Sequence, residues 1–221
     1  MKKKRLRLLF INAPLLILAG VCFILSSGYS GKLASQQAAQ RWTGESDIRF
    51  NQLSCYLSDT DELGLNNIYE FRQKFDAKLI ESSIEAPENG SLYIDAWSVS
   101  GKAKAVGDHG SGDAYITAVG GDYFFFHPLR LLSGSYISDD DLMEDRVVLD
   151  KELAWRLFGG VDLEGMTMEI EGKPYVIAGV VERESDKASK ASYTYGEGLF
   201  MSFRAYAELR EDNAKSLKCY E

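Results

Sequence analysis

The sequence predicts an α+β protein with an N-terminal transmembrane helix followed by a two-lobed extracytoplasmic domain. Three observations predict it. A charge-free run of 20 residues, 8–27, follows a strongly basic head. Residues 48–99 show the order strand, helix, strand, strand. A glycine-rich loop at 107–113 divides this first unit from a second one.

The basic head predicts the orientation of the first helix. Residues 1–7 (MKKKRLR) hold five cations, and residues 8–27 hold none. A helix of that length spans about 30 Å, the thickness of a bilayer's hydrocarbon core. The positive-inside rule then places the N-terminus in the cytoplasm and everything after Gly28 outside the cell membrane, with a single pass in this chain.

A cleaved secretory signal is the alternative interpretation of the same segment. The basic head fits a signal, and Ser26–Gly28 has the small residues of a cleavage site. A signal has an apolar core of about 7–15 residues, however, and this run is longer, although Asn12 and Pro14 interrupt it. The length favours a retained anchor.

The charge of the outer part excludes one class of ligand. The chain has 25 Lys and Arg against 33 Asp and Glu, and five of the cations lie in the head. The outer part therefore has 20 cations and 33 carboxylates, a net charge of −13. Nucleic acid is not an expected partner, because phosphate binding requires a basic surface.

The three cysteines allow two interpretations. Cys22 lies in the anchor, whereas Cys55 and Cys219 lie in strand-like runs on the side predicted to be oxidising. A disulfide between Cys55 and Cys219 and two free thiols both remain open, because spacing alone does not fix a pairing. No Cys/His set has zinc-site spacing, so neither a metal nor another cofactor is predicted.

No catalytic residue is predicted. His109 and His127 are the only histidines, and neither belongs to a nucleophile signature such as G-x-S-x-G. The chain also lacks the G-x-x-x-x-G-K-[ST] motif that cradles nucleotide phosphates, so we do not expect it to be an ATPase.

The first elements after the anchor are predicted from local patterns. Residues 30–42 are rich in Ala and Gln, which favours a helix continuing out of the membrane. Residues 48–57 have the pattern of a strand. Ser58 or Thr60 then caps a helix, with carboxylates in its first turn.

That helix has an apolar face at helical spacing, and two strands follow it. The face consists of Leu65, Ile68, Phe71 and Phe75. Residues 79–86 and 91–99 are strand-like and flank a hairpin turn at 87–90. A glycine-rich loop, 107–113, closes this first unit.

The second unit contains strands at 114–119, 146–149, 166–170 and 175–181. Asp150 is predicted to cap a short helix in which Leu153 and Leu157 face the same way, and Gly159 ends that helix. A turn at 171–173 joins the last two strands.

Four aromatic and aliphatic side chains in this unit are predicted to be core: Tyr123, Phe124, Phe125 and Leu129. Asp139–Asp141 is expected to cap a turn, because it lacks the calcium-loop spacing.

The remaining residues return to the sheet. A polar, aperiodic stretch at 182–196 is predicted to be a mobile loop. A strand at 198–203, a helical turn at 204–210 and the start of a strand at 217–221 follow. A strand that begins at the last residues is what we expect of a fragment.

Residues 115–182 contain an ordered set of motifs. Gly121-Asp122-Tyr123-Phe124 is followed by Leu-x-x-Gly at 131–134, Arg-Val-Val-Leu at 146–149, Leu-Ala-x-x-Leu-Phe-Gly at 153–159 and Val-Ile-Ala-Gly-Val-Val at 176–181. In this order the motifs resemble the periplasmic core domain of MacB-type ABC transporter permeases. No single motif is specific, but their order is. Ser135 stands where the family usually has arginine.

The resemblance implies a βαβ-type porter-like sandwich with an inserted, mostly β lobe. The implied organisation is a basic head and transmembrane helix (1–28), a helical extension (29–45), the first part of the porter-like lobe (46–112), the inserted lobe (113–187) and a return to the first lobe (188–221). The family's permeases have four transmembrane helices, with this domain between the first and the second.

The resemblance also implies a function. A permease subunit of a MacB/FtsX-like complex pairs with a second permease subunit and with a cytoplasmic ABC ATPase subunit, and its outer domain meets an extracytoplasmic adaptor or cargo. The outer domain couples ATP-driven helix motion to export, extraction or partner regulation. Two alternatives from other classes are a stand-alone membrane-anchored binding module without an ATPase and a secreted enzyme.

Overall fold

The computed structural model describes residues 2–30, 34–45, 49–58, 63–86, 91–183, 196–210 and 216–221. It divides into two compact units, residues 1–51 and residues 52–221. Helices and a large mixed sheet are both present, so the predicted α+β class is confirmed.

Helix α1 (Lys2–Ser30) dominates the first unit. Its segment Asn12–Tyr29 has a mean hydropathy of 1.6, and in the described part of the chain α1 is the one helix long and apolar enough to cross a membrane. Pro14 lies inside the helix without ending it, near the basic end. The predicted apolar helix is therefore confirmed.

The predicted helix over residues 30–42 is wrong as a continuous element. A 3-10 turn (Ala34–Gln36) and α2 (Ala38–Thr43) are separated at Gln37. The backbone N–H of Gln37 and the guanidinium of Arg41 both donate to the carbonyl oxygen of Ala34, which favours the tighter turn there. Residues 31–33 lie outside the described part.

The second unit is built on one mixed sheet. Its strands are β1 (Cys55–Tyr56), β2 (Ala96–Val106), β3 (Ser111–Gly121), β4 (Arg130–Gly134), β5 (Arg146–Asp150), β6 (Thr167–Ile170), β7 (Lys173–Glu182), β8 (Gly198–Ser202) and β9 (Cys219–Tyr220). Its helices are α3 (Leu65–Glu81), α4 (Tyr123–Phe126), α5 (Lys151–Phe158) and α6 (Phe203–Leu209). The strand order is β1-β9-β2-β3-β8-β5-β7-β4.

Strand β6 closes part of this sheet into a ring. It pairs with β7 through a tight turn, and it also pairs with β2 at Ala105 and Val106. The pairings therefore run β2-β3-β8-β5-β7-β6 and return to β2. A glutamate reinforces the closure, because the Glu171 carboxylate accepts from the backbone N–H of Lys104. A closed ring has no free edge to pair with another chain.

Apolar side chains pack on both faces of the ring strands. The larger core takes residues from all six strands and from α5 and α6, with Leu149, Leu157 and Ile177 fully buried. A smaller core covers the opposite face of β5, β7 and β8. Of the four predicted core residues near α4, Leu129 is buried in this smaller core, Tyr123 and Phe124 pack against it half-buried, and Phe125 is half-buried.

Helix α3 differs from the prediction at both ends. It begins after Gly64, whose backbone N–H donates to the side chain of Asn67, so Ser58 is not its cap. Thr60 lies outside the described residues. The helix continues to Glu81, which overturns the predicted strand at 79–86. Ser83, just after the helix, is in the left-handed region. The backbone N–H groups of Ser83 and Ile84 donate to the carbonyl oxygens of Ile80 and Leu79, respectively, and so close the end of the helix.

Three other predicted element boundaries in this region differ from those in the structure. The predicted strand at 48–57 is reduced to β1, and the predicted strand at 91–99 begins at Ala96 as β2. The predicted loop at 107–113 is the short turn Gly107–Gly110 of the hairpin between β2 and β3. Residues 87–90 and most of 182–196 lie outside the described part.

Most elements from residue 114 onward agree with the prediction, whereas α4 and β4 are not among the predicted elements. Strands β3, β5, β6, β7, β8 and β9 and helices α5 and α6 lie where the pattern places them, within a few residues. The Asp150 carboxylate accepts from the backbone N–H of Leu153 at 2.8 Å and so caps α5. Gly159 ends the helix in the left-handed conformation, at a φ of 76°.

Candidate functional site

The first and the last strand that the structure describes in the second unit, β1 and β9, lie side by side. We call residues 52–58 and 216–221 the junction. Strand β1 pairs antiparallel with β9, and β9 lies between β1 and β2 in the sheet. Beyond the strand pair, the backbone N–H of Leu57 donates to Lys218 at 2.9 Å and that of Leu217 donates to Leu63 at 2.7 Å. The incoming segment is thereby hydrogen-bonded to the returning one.

A buried carboxylate holds the returning strand to helix α3. Asp95 precedes β2, and its two oxygens accept from Arg72 Nε at 2.8 Å and Arg72 Nη2 at 2.5 Å. The hydroxyl of Tyr220 donates to Asp95 Oδ2 at 2.8 Å. The hydrogen bond to Asp95 raises the pKa of Arg72, and burial raises the pKa of Tyr220, so both groups stay protonated at neutral pH.

Aromatic rings surround this carboxylate. The Arg72 guanidinium lies over the Trp97 ring, 5.0 Å from its centroid. Phe71 meets Tyr220 edge to face at 5.8 Å and stacks on Phe75 at 5.7 Å. The predicted apolar face of α3 thus contacts the junction, but Phe71 and Phe75 remain 47% and 37% exposed.

A second buried carboxylate ties the end of β9 to two other segments. Glu221 Oε1 accepts from the Ser54 hydroxyl at 2.9 Å, and Glu221 Oε2 lies 2.7 Å from Nε2 of His127. His127 stacks on Tyr123 with ring centroids 4.4 Å apart. His127, one of the two histidines set aside in the sequence, therefore positions the returning strand. His109 lies instead on the turn of the β2–β3 hairpin.

The two outer cysteines are free thiols in the structure. Cys55 pairs with Tyr220, and Tyr56 pairs with Cys219, so the two cysteines are one residue out of register on neighbouring strands. Side chains one step apart in a ladder point to opposite faces. Burial raises the pKa of Cys219 to about 12. Cys219 is therefore a poor nucleophile at neutral pH.

Residues 138–145, which we call the acidic turn, close on themselves as predicted. The backbone N–H of Ser138 donates to Asp141 Oδ2 at 3.0 Å, and that of Asp141 donates back to the Ser138 carbonyl at 3.1 Å. Within the described residues, no three His, Cys, Asp or Glu side chains are arranged to hold a metal ion.

A third buried carboxylate lies at an end of the ring. Asp150 Oδ2 accepts from the backbone N–H of Gly198 at 2.6 Å and lies 3.0 Å from Arg183 Nε. Burial raises the pKa of Asp150 to about 6, with Arg183 and the N–H donors opposing the shift. This pair holds the end of β7, the start of β8 and the cap of α5 together.

Sequence reasoning missed Asp95 and Glu221, the two carboxylates that hold the junction in place. Asp95 carries the clearest signal, because it is the one charged residue in the apolar run 92–99 and a charge at such a position is seldom buried without a partner. The sequence offers no comparable signal for Glu221, since its partners Ser54 and His127 are remote along the chain. The geometry as a whole binds segments to one another, because the hydroxyls of Ser54 and Tyr220 donate to the carboxylates of Glu221 and Asp95, respectively.

A family model described as the MacB-like periplasmic core domain matches residues 16–217. The chain belongs to this MacB-like family. The match covers most of the chain and begins inside helix α1. It confirms the resemblance drawn from the motifs of residues 115–182. MacB-like domains of this kind belong to ABC transporter permeases, and such permeases are not themselves the ATPase.

Solved structures of MacB-like domains are also similar. The extracellular domain of the noncanonic ABC-type transporter YknZ from Gram-positive bacteria matches with 17% identity and a TM-score of 0.46, over 57% of this chain and 62% of that one. The periplasmic region of MacB from Actinobacillus actinomycetemcomitans matches with 20% identity and a TM-score of 0.46, over 59% of this chain and 57% of that one.

A third solved relative is a domain of a putative permease protein from Porphyromonas gingivalis, with 12% identity and a TM-score of 0.37, over 57% of this chain and 53% of that one. The alignments thus span about 60% of the length of the first two MacB-like structures. No curated protein matches the chain.

Proposed function

We propose that the chain is the transmembrane subunit of a MacB/FtsX-like ABC complex, whose extracytoplasmic domain passes ATP-driven helix motion to export, extraction or partner regulation at the outer face. The family match over residues 16–217, which begins inside the apolar helix, carries the proposal. A cytoplasmic ABC ATPase subunit and a second permease subunit complete the proposed complex.

The proposed topology places the basic head in the cytoplasm and the second unit outside. Five cations on the N-terminal flank of α1 support it. The porter-like lobe of residues 46–112 and 188–221, with residues 113–187 inserted, is part of the same proposal. Lys3→Cys should be shielded from a membrane-impermeant thiol reagent in intact cells, whereas Glu169→Cys, on an exposed position of β6, should be labelled. The reverse pattern would contradict the topology.

The junction supports a coupling role for the second unit. A displacement of the segment before β1 acts on β9 through hydrogen bonds and on α3 through Asp95, because those groups are bonded directly. Hydrogen bonds to buried charged groups resist separation more than exposed ones do. A displacement of the segment before β1 therefore moves the sheet directly.

A linker insertion tests the coupling. A Gly-Ser-Gly-Ser segment inserted after Asn51, where the first unit ends, should disconnect β1 from the preceding chain. The same segment inserted after Asp108, in the hairpin turn, is the matched control. The full chain is purified with its ATPase subunit in lipid nanodiscs. Spin labels at Glu169→Cys report the distance between the two copies, with and without vanadate-trapped nucleotide.

The expected result is a vanadate-dependent distance change in the wild-type complex and in the Asp108 insertion. That change should be lost in the Asn51 insertion, with ATP turnover retained. An unchanged response after the Asn51 insertion would refute coupling through the junction. Failure of any ATPase subunit to copurify would favour the stand-alone anchored binding module.

A further inference from the structure

An apolar knob projects from the acidic turn. The side chain of Leu142 is 101% exposed, and that of its neighbour Met143 is 57% exposed. Single exposed apolar residues are common and carry no argument on their own. Here two consecutive ones occupy the tip of a turn that the rest of the fold holds in place.

The knob is held by a rigid base. Arg146 lies 3.7 Å from Asp141 and donates to the Ser135 hydroxyl, which joins the turn to the end of β4. Arg204 of α6 lies 3.3 Å from Glu144. The carbonyl oxygen of Asp145 accepts from Val176 of β7 at 2.8 Å. A preorganised turn loses little conformational entropy when it binds, so its two apolar side chains are effective contacts.

Negative charge surrounds the knob. Five of the eight residues in the acidic turn are carboxylates. Asp141 and Glu144 are engaged by arginines, whereas Asp140 and Asp145 are exposed and have no ion-pair partner within the described residues. These two exposed carboxylates complement a basic surface and repel an acidic one.

We infer that the acidic turn docks Leu142 and Met143 into an apolar pocket, rimmed by lysine or arginine side chains, on a separate folded protein. A protruding knob requires a preformed pocket. The outer part of this chain, at a net charge of −13, is a poor source of the basic rim, and an anionic membrane surface would be repelled. The inference goes beyond the proposed coupling function and does not depend on an ATPase.

Photo-crosslinking of the full chain in the cells that make it tests this inference. The substitution Leu142→p-benzoylphenylalanine places a photoreactive group at the knob. Ile80→p-benzoylphenylalanine, at a 77% exposed apolar position on α3, is the matched control. The peptide captured at each site is identified by mass spectrometry. A carbodiimide, which joins a carboxylate to a lysine amine in direct contact, reports the charged rim independently.

We expect one discrete protein adduct from position 142 that the Ile80 control does not give, with a captured peptide rich in Lys or Arg. Asp140→Lys combined with Asp145→Lys should lower its yield by at least about tenfold, because like charges would then face each other. Glu169→Lys, a remote charge change, should leave the yield unchanged. Thermal unfolding of each variant confirms that the fold is retained.

Four results would overturn the inference: no adduct from position 142, an adduct with a second copy of this chain, an adduct with lipid, or a protein adduct whose yield survives the double charge reversal.

Discussion

Arg72 and Asp95 are joined by two parallel hydrogen bonds, Nε to Oδ2 at 2.8 Å and Nη2 to Oδ1 at 2.5 Å. The pair links the middle of α3 to the start of β2, and the hydroxyl of Tyr220 completes the set from β9. Three elements that come from distant parts of the sequence therefore share one carboxylate.

Loss of the arginine should destabilise the second unit. Arg72→Ala leaves Asp95 buried, with the Tyr220 hydroxyl as its remaining side-chain donor. We expect the free energy of unfolding to fall by about 2 kcal/mol. This loss is smaller than for a fully buried pair, because the Arg72 side chain is 29% exposed. Urea unfolding of the full chain in detergent micelles, followed by tryptophan fluorescence, measures it.

Lys74→Ala on the same helix is the control for that experiment. Lys74 pairs with Glu70 on the exposed face, and its loss should change the free energy of unfolding by less than about 0.5 kcal/mol. Equal effects from Arg72→Ala and Lys74→Ala would show that Asp95 does not depend on Arg72.

The core of the ring should respond strongly to truncation at Leu157. This side chain is fully buried against the larger core, so Leu157→Ala should cost about 2–5 kcal/mol of unfolding free energy. Trp155→Ala, on the same helix but 56% exposed, should cost about 1 kcal/mol or less. A loss at Leu157 of under about 0.5 kcal/mol would mean that this face of α5 is not packed as the structure has it.

Asp150 should make stability depend on pH in a defined direction. Burial raises its pKa from 3.8 to about 6, so the folded state binds the proton more tightly than the unfolded chain does. The contribution of this group is therefore fully present below about pH 4 and is lost as the pH rises through about 6, with a slope of at most about 1.4 kcal/mol per pH unit.

Asp150→Asn removes this titration and keeps an oxygen that accepts from Leu153. Unfolding free energies measured at intervals from pH 4 to 7.5 should fall less steeply with rising pH in the variant than in the wild type. If Asp150→Asn steepens that fall, the carboxyl titrates in the opposite sense.

The thiol of Cys219 should react slowly. With its pKa raised to about 12 by burial, little thiolate forms at pH 8. In a chain carrying Cys22→Ser and Cys55→Ser, iodoacetamide should modify Cys219 at least about tenfold more slowly in the folded state than in guanidinium. Equal rates in the two states would show that the thiol is not buried.

The second half of the fold is predictable because its signals are local. Asp150 caps α5, Gly159 ends it, and the turn at residues 171–172 joins two alternating strands, so each boundary is marked by a residue within a few positions of it. These local preferences agree with the tertiary packing, and the predicted elements from residue 114 onward are confirmed for that reason.

The first half is less predictable because distant partners decide it. Strand β1 exists only where β9, more than 160 positions later, supplies its hydrogen bonds. Helix α3 ends at Glu81 and is followed by Ser83 in the left-handed conformation, a position at which a glycine would have marked the end of the helix in the sequence. Without that glycine, the apolar residues Leu79 and Ile80 favoured the prediction of a strand. The pairing of β6 with β2, which closes the ring, likewise depends on a register that neither strand specifies alone.

The pairing of β1 with β9 also bears on how this part of the fold is moved between proteins. Strands β1 and β9 are neighbours in the sheet, so the stretch from Cys55 to Tyr220 begins and ends at one place, and segments with adjacent ends tolerate insertion into a host loop. This stretch is therefore suited to transplantation into a surface loop of another protein, because the recipient would need to open only a narrow gap. Exchange of the stretch among related chains is a route that this arrangement leaves open to evolution and to engineering.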